Sequence, residues 1–230
     1  MQLPQGGWAT LRRQLDPRPS ARPDHPPGAR VGAALILRRP IAERADDPQS
    51  RDLELVYTRR PSHLTHHPGQ ISFPGGRVEA GETIEQAALR EATEEVALRV
   101  SSARVLGHLP AFYIPPSGFW LHGVVARWEA PHPLSPDPGE VSEILLVRLS
   151  TLLARETWRG VSLPVGRTFA WQLDDRHLLW GATAIVTAAL LDRLAPEWDA
   201  GASPELLPDP AQPPAIVFST SAVGESGPLR

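Results

Sequence analysis

Three glutamates, Glu91, Glu94 and Glu95, fall within one turn of a potential helix. At spacings of i, i+3 and i+4 their side chains share a face of the helix, where like charges repel by about 0.2–0.5 kcal/mol per pair. Arg90 offsets part of this repulsion through an i,i+4 contact with Glu94. Mg²⁺ and Mn²⁺ prefer carboxylate oxygens and bind them beside substrate phosphates. The spacing therefore allows two interpretations, a solvated acidic face and a divalent metal site, and the flanking residues decide between them.

A helix start is encoded just upstream of these glutamates. Thr83 and Gln86 form a capping-box pattern, which predicts that the helix begins near Ile84. Apolar residues at helical spacing then predict the side that packs against the core: Leu89, Ala92 and Val96. We therefore expect the helix to present its glutamates on a different side from its core contact.

A glycine-rich loop precedes the helix and fixes a wider pattern. Gly76 is followed after five residues by Glu82, and after seven more by Arg-Glu-x-x-Glu-Glu. This arrangement resembles the Nudix box, the signature of hydrolases that cleave nucleoside diphosphates linked to another group. The match extends from Gly76 to Leu98, with a departure at Ala97, where the family pattern usually has the glycine that closes the helix.

The resemblance implies a fold and a cofactor. The fold would be of the α/β class, the Nudix-type α/β/α sandwich with a mixed β-sheet. The cofactor would be Mg²⁺ or Mn²⁺, ligated by Glu91 and Glu95, with Glu94 as a further ligand or as the holder of a water ligand. The carbonyl of Gly75 is an additional candidate ligand, because a Gly-Gly turn lets the backbone approach an ion.

Further roles follow from the same resemblance. Arg90 is expected to orient Glu94, and Glu82 is expected to brace the glycine loop. Nudix enzymes differ in their general base, for which Glu94 and Glu140, in the loop before a predicted strand, are the candidates. The expected catalytic residues are therefore Arg90, Glu94, Glu95 and Glu140.

The segment before the glycine loop narrows the expected substrate. The run 69–76, Gly-Gln-Ile-Ser-Phe-Pro-Gly-Gly, resembles the coenzyme A diphosphatase branch of the Nudix hydrolases, as do Thr58 and Arg60. Two positions depart from that branch. Pro61 replaces a usual serine or alanine, and Thr65 replaces a usual arginine, which would be a bidentate phosphate donor.

The substrate implied by this branch is coenzyme A, whose hydrolysis would give 3′,5′-ADP and 4′-phosphopantetheine. Arginines near the glycine loop are candidates to hold its phosphates. The expected substrate-binding residues are Arg59, Arg60, Thr65, Gly75, Gly76 and Arg77. The histidines at positions 63, 66 and 67 lie between two prolines without a carboxylate, so we interpret them as loop residues and not as metal ligands.

Two other functions remain open. A Nudix hydrolase of ADP-ribose, NADH or another nucleoside diphosphate derivative would use the same carboxylates with a different pocket. A non-catalytic nucleotide-binding module would bind its ligand without metal-dependent turnover. The three mutually repelling carboxylates argue against the second alternative, because binding alone does not require them.

The composition excludes several classes of protein. With 230 residues, of which 41% are hydrophobic and 21% charged, the chain suits one globular domain. A net charge of −3 does not favour nucleic acid or an anionic membrane as a partner, and the lack of cysteine excludes disulfides and thiol chemistry. Without a signal peptide or a long apolar run, we expect a cytoplasmic enzyme that acts on a small nucleotide substrate. The sequence does not determine its oligomeric state.

Proline-rich segments flank the predicted domain. Residues 1–29 contain a short helix candidate, Trp8–Leu15, and a Pro/Arg-rich tether, while residues 196–230 are predicted to be a largely disordered tail. The Nudix domain would occupy residues 30–195. Its predicted strands are Val31–Leu37, Leu53–Thr58, Gln70–Phe73, Val105–Leu109, Phe119–Val125, Ile144–Arg148 and Thr168–Leu173. Helices are predicted at Leu149–Ala154 and at Ala182–Leu194, the latter with Ile185, Val186, Ala189 and Leu190 on its apolar side.

Overall fold

The computed structural model describes residues 28–41, 53–114, 118–163 and 166–194. The predicted Trp8–Leu15 helix and the tail at 196–230 lie outside these ranges, so the division of the chain into three parts stays a prediction. Among the described residues, no helix has the length and apolar character needed to cross a membrane.

A large mixed sheet positions the functional residues. Its eight strands are β1 (Arg30–Pro40), β2 (Leu53–Arg59), β3 (Ile71–Ser72), β4 (Gly75–Arg77), β5 (Ala103–His108), β6 (Phe112–Ile114), β7 (Phe119–Trp128) and β8 (Glu143–Arg148). β1 and β7 run parallel, and the other described strand pairs of this sheet are antiparallel.

β1 lies at the centre of this sheet, and both of its faces are buried. Ala33 and Leu35 belong to the core on one side, Ala34 and Ile36 to the core on the other, and none is more than 6% exposed. A continuous apolar run is expected of a strand that is covered on both faces. β4 pairs with the start of β1, with Gly75 opposite Ala34. Backbone pairing therefore holds the glycine loop against the central strand.

Helices cover both faces of the large sheet. α1 (Ile84–Val96) packs on one face, while α2 (Leu149–Leu153) and α3 (Gly181–Leu194) contribute to the core on the other. Two 3₁₀ turns lie at Val100–Ser102 and Arg155–Thr157. The arrangement confirms the predicted α/β class, with a mixed sheet between helical layers.

The sequence predicts only part of a second, three-stranded sheet. Its strands are β9 (Trp158–Leu163), β10 (Gly166–Gln172) and β11 (Leu178–Leu179). β9 is missing from the predicted strands, because its arginine, glycine and serine leave no regular apolar alternation. Tertiary contacts define this region instead: the indole N–H groups of Trp158 and Trp171 both donate to the Leu152 carbonyl, at 3.1 and 2.8 Å.

The buried face of α3 differs from the prediction. Ile185 is expected on the apolar side, but it is 48% exposed, whereas Val186 and Leu190 are buried as predicted. Thr187 occupies the buried face, where its hydroxyl lies 3.0 Å from the Tyr57 hydroxyl and donates to the Thr183 carbonyl. Because these contacts satisfy the hydroxyl, a polar residue fills a position that an apolar pattern would not choose.

Candidate active site

The predicted capping box sets the start of α1. The Thr83 hydroxyl accepts the Gln86 N–H at 3.2 Å, and the Gln86 side chain accepts the Thr83 N–H at 2.8 Å. At the other end, Ala97 adopts a left-handed conformation with φ of 55° and donates its N–H to the Thr93 carbonyl. The helix therefore ends at the usual position of the family's glycine, although the residue there is alanine.

Glu95 is the most deeply buried of the three glutamates. It is 3% exposed, and its carboxylate accepts the Gly75 N–H at 3.1 Å. Burial raises the pKa of Glu95 to about 8, an effect that Glu91 and Glu140 reinforce and that the Gly75 N–H and Arg60 oppose. A buried carboxylate near two like charges is costly to ionise, so a cation at this point would be stabilising.

Close packing with the glycine loop positions Glu91 as well. A Cβ at Gly76 would overlap the Glu91 carboxylate, and one at Gly75 would overlap the Ala33 carbonyl of β1. Position 75 therefore requires glycine for its close approach to the backbone of β1, while a side chain at position 76 would displace the Glu91 carboxylate. Burial is the main cause of a raised pKa at Glu91, which Arg90 partly opposes.

Arg90 connects the helix to the glycine loop. Its guanidinium donates to Glu82 at 2.7 and 3.1 Å, to Glu91 at 3.0 Å and to Glu94 at 2.9 Å. It also donates to the Arg77 carbonyl at 3.0 Å. The hydrogen bonds from Arg90 lower the pKa of Glu82, which also accepts the Glu79 N–H. These contacts place Arg90 and Glu82 where their orienting and bracing roles are predicted.

The loop that carries Glu140 docks on the end of α1. The Asp137 N–H donates to the Glu95 carbonyl at 2.9 Å, and the Glu140 N–H donates to the Asp137 carbonyl at 3.1 Å. Farther along the loop, the Ser142 hydroxyl donates to the Arg59 carbonyl at 3.0 Å. One loop thus contacts both the carboxylate helix and the start of the candidate substrate segment, and Glu140 lies exposed between these contacts.

The two arginines after β2 have different surroundings. Arg59 lies 3.7 Å from Glu143, measured from Nη1 to Oε2. Arg60 has a buried Nε without a hydrogen-bond partner among the described groups, and its charge acts to lower the pKa of Glu95. Arg60 is therefore a cation close to the carboxylate site with donor capacity left for a ligand.

Other predicted binding residues lie farther from these contacts. Thr65 and the three loop histidines lie on the exposed segment 62–68, where His67 contacts the Gln70 side chain at 2.9 Å. Arg77 is exposed, and its contact with the helix is made by its backbone carbonyl. The binding roles of Thr65 and Arg77 stay predictions.

The carboxylates of this site suit a divalent cation by their chemistry but do not converge on one point. Hard carboxylate oxygens suit Mg²⁺ or Mn²⁺, and the buried Glu95 beside Glu91 would gain from a cation. Within the described parts of the chain, however, no three His, Cys, Asp or Glu side chains converge to hold an ion. Arg90 contributes to this lack of convergence, because its guanidinium pairs with both Glu91 and Glu94. The metal ligands, including the Gly75 carbonyl, therefore stay predictions.

Sequence patterns do not reveal two buried histidine contacts. His108 lies 2.8 Å from Glu85, and His177 lies between Asp174 and Glu143 at 2.7 and 3.0 Å. His108 and Glu85 are 23 residues apart, and His177 and Glu143 are 34 residues apart, so no local spacing could identify either contact.

The glycine loop, the carboxylate helix and the mixed sheet together define a class of protein. The NUDIX domain family matches residues 45–167, which is more than half of the chain. The chain therefore belongs to the Nudix family of diphosphohydrolases.

Two relatives of this chain within the family are named as coenzyme A diphosphatases. The human mitochondrial coenzyme A diphosphatase NUDT8 is 34% identical over 149 residues, which cover 62% of this chain and 63% of the human protein. The peroxisomal coenzyme A diphosphatase ndx-8 of Caenorhabditis elegans is 32% identical over 193 residues, covering 80% and 78%. A solved structure of a MutT/nudix family protein from Enterococcus faecalis is 16% identical with a TM-score of 0.48, covering 83% of this chain and 69% of that one.

Proposed function

We propose that this protein hydrolyses the diphosphate of coenzyme A or its derivatives to 3′,5′-ADP and 4′-phosphopantetheine. The observation that carries the proposal is the buried Glu95 carboxylate, held by the Gly75 N–H beside Glu91. The names of the human and nematode relatives support coenzyme A as the substrate class. The oxygen of water would bond to one phosphorus while the bond from that phosphorus to the bridging oxygen breaks and water releases a proton. Each product then keeps one phosphate of the former diphosphate, and 3′,5′-ADP keeps its 3′-phosphate as well.

Glu91 and Glu95 would hold Mg²⁺ or Mn²⁺, with Glu94 and the Gly75 carbonyl as further ligands. When bound, the ion would neutralise diphosphate charge and lower the pKa of an attacking water. Arg90 donates to both Glu91 and Glu94, and its proposed role is to orient Glu94 beside the ion. Glu140 or Glu94 would accept the proton released from water, and both side chains are exposed enough to meet it.

The substrate phosphates would be bound by arginines around the glycine loop. Arg60 is the best supported of them, because its buried Nε lacks a described partner and it lies near Glu95. Arg59 and Arg77 would bind other phosphate oxygens of the substrate, and Thr65 would contact the substrate from the segment 62–68. Gly75 and Gly76 would let the backbone approach the diphosphate.

A second candidate reaction is the hydrolysis of ADP-ribose, NADH or another nucleoside diphosphate derivative. The exposed Thr65 favours it, because the arginine that the coenzyme A branch usually has there is absent. A cytoplasmic location stays a prediction, since the relatives are named as mitochondrial and peroxisomal proteins. The partner would be a small nucleotide derivative.

The direct test is product analysis with coenzyme A in the presence of Mg²⁺, Mn²⁺ or a chelator. We expect 3′,5′-ADP and 4′-phosphopantetheine only with a divalent cation. Glu95→Gln should lower kcat by at least about 100-fold, because a charged group at the reaction centre is removed. The control is Glu79→Gln, an exposed loop position, which should keep wild-type turnover. Full activity in chelator, or in both Glu91→Gln and Glu95→Gln, would refute the metal assignment.

A further inference from the structure

A buried histidine outside the Nudix helix links the small sheet to the candidate substrate segment. His177 lies in the turn between β10 and β11, and its side chain is 3% exposed. Its Nδ1 is 2.7 Å from Asp174 Oδ2, and its Nε2 is 3.0 Å from Glu143 Oε2. Both ring nitrogens therefore face carboxylate oxygens at hydrogen-bonding distance.

The protonation of the ring decides how many of these contacts are hydrogen bonds. An ionised carboxylate only accepts hydrogen bonds, and a neutral imidazole has only one N–H. With a carboxylate oxygen at each nitrogen, both contacts are hydrogen bonds only if both nitrogens carry a proton. In either form of the ring, Nε2 lies at hydrogen-bonding distance from Glu143 and holds that carboxylate in place.

The turn itself holds the ring in place. Asp174 accepts the Arg176 N–H at 2.8 Å and the His177 N–H at 3.0 Å through its other oxygen, Oδ1. The Leu173 N–H donates to the His177 carbonyl at 2.8 Å, and the Gln172 side chain donates to the Asp174 carbonyl at 2.6 Å. Asp174 thus fixes both the backbone and the ring of His177.

Glu143 connects the fixed His177 ring to Arg59. The two residues are directly opposite each other in the β2–β8 pair, and the Glu143 oxygen that contacts His177 is also 3.7 Å from Arg59 Nη1. The Ser142 N–H donates to the Arg59 carbonyl at 2.8 Å, so the backbone of Arg59 is fixed independently. One carboxylate oxygen of Glu143 is therefore shared by the His177 ring and the Arg59 guanidinium, with the shorter contact to His177.

We propose that His177 is a positioning residue, which holds Glu143 so that the Arg59 guanidinium stays available for a substrate phosphate. This inference rests on the proposed function, in which Arg59 binds phosphate. Without His177, Glu143 would lose its closer partner and pair more tightly with Arg59. The guanidinium would then be drawn away from the substrate.

The test is a double-mutant cycle with His177→Gln, Arg59→Ala and the double variant, in which kcat and KM are measured for coenzyme A. We expect each single substitution to raise KM by about 3- to 10-fold with kcat within about twofold, as for the loss of one hydrogen bond of ordinary strength. The double variant should match Arg59→Ala, because His177 acts only through Arg59. The proposal would be overturned if the KM increase of the double variant equalled the product of the two single increases, or if the substitutions lowered kcat alone.

A matched control is available in His108→Gln. His108 is also buried, with a side chain 6% exposed, and it also contacts a glutamate, Glu85, at 2.8 Å. It belongs to β5 and does not contact Glu143 or Arg59 among its described hydrogen bonds. If His108→Gln raises KM, its factor should therefore multiply with that of Arg59→Ala when the two substitutions are combined.

Two further measurements separate this inference from the proposed function and from a folding defect. If coenzyme A is not turned over, the Kd for 3′,5′-ADP is measured for the same three variants. Equal Kd values for Arg59→Ala and the double variant would support the inference. A Kd increase in the double variant that equals the product of the two single increases would refute it. Proton NMR of the wild type should show an N–H signal from the His177 ring that is protected from solvent exchange, and the absence of this signal would refute the hydrogen-bonded ring. If His177→Gln does not fold, Asp174→Asn replaces it in the KM and the Kd measurements, with the same expected outcomes.

Discussion

At the scale of single residues, the carboxylate of Glu95 is the feature most directly linked to chemistry. It is buried beside the glycine loop, and burial raises its pKa from 4.5 to about 8. A group whose protonated form is favoured in the folded state stabilises the fold fully at low pH. That contribution is lost as pH rises from the unfolded pKa of 4.5 through the folded pKa of about 8, because the unfolded chain ionises first.

The first prediction concerns this pH dependence in chelator. The melting temperature of Glu95→Gln relative to wild type should increase from pH 5 to pH 8, because glutamine cannot ionise and still can accept the Gly75 N–H. Glu94→Gln is the matched control, because the Glu94 side chain is 58% exposed and should show little such trend. A difference between Glu95→Gln and wild type that stays constant over this range would contradict the buried, proton-retaining carboxylate.

The second prediction concerns Thr65, which stands where the coenzyme A branch usually has arginine. Thr65→Arg should increase the preference for coenzyme A over 3′-dephospho-coenzyme A, by up to about 10- to 150-fold if the arginine binds the 3′-phosphate. The measurement is the ratio of kcat/KM values for the two substrates. His66→Arg adds the same charge at the next exposed position and should change the ratio less. An equal change in both variants would indicate general attraction instead of a specific contact.

At the scale of elements, the helix α1 is defined by signals at both ends. The capping box of Thr83 and Gln86 gives its start, and Ala97 closes it in a left-handed conformation. An L-residue with a Cβ is disfavoured there by about 1–2 kcal/mol, while glycine is not. The departure from the family pattern therefore carries a cost in stability without moving the end of the helix.

The third prediction follows from this cost. Ala97→Gly should raise the free energy of unfolding by about 0.5–1 kcal/mol in urea denaturation, after the greater flexibility of glycine in the unfolded chain is counted. Ala80→Gly is the control, because Ala80 is exposed in a turn and does not have a positive φ. It should lower stability slightly. A loss of stability in Ala97→Gly would show that the alanine side chain makes compensating contacts.

Elements with strong local patterns were predictable, and those that depend on distant contacts were not. The start of α1 and the buried strand β1 follow from a capping box and a continuous apolar run. The polar Thr187 on the buried face of α3 depends on Tyr57, 130 residues away, while β9 depends on its pairing with β10 and on the contact of Trp158 with Leu152, neither of which an apolar alternation reveals. In the candidate site, the Nudix box indicated the carboxylates, while the contact of His177 with Glu143 exists only after the two sheets meet.

At the scale of the whole molecule, the fourth prediction concerns the proline-rich tail. A chain truncated after Trp198 should remain folded and active, because the composition of 199–230 allows little apolar burial. Truncation after Thr187 is the contrasting control, since it removes the buried Leu190, Leu191 and Leu194 and should destabilise the domain strongly. A fall of more than a few degrees in melting temperature for the Trp198 truncation would mean that the tail packs against the domain.

The function of this protein is defined by the diphosphate that it cleaves. The deciding measurement is kcat/KM of the wild type for coenzyme A, 3′-dephospho-coenzyme A, ADP-ribose and NADH, each with Mg²⁺ and with Mn²⁺. We predict that coenzyme A is the best of these substrates with either metal and that none is hydrolysed in chelator. Faster turnover of ADP-ribose or NADH than of coenzyme A would contradict the proposed substrate and leave only the Nudix chemistry.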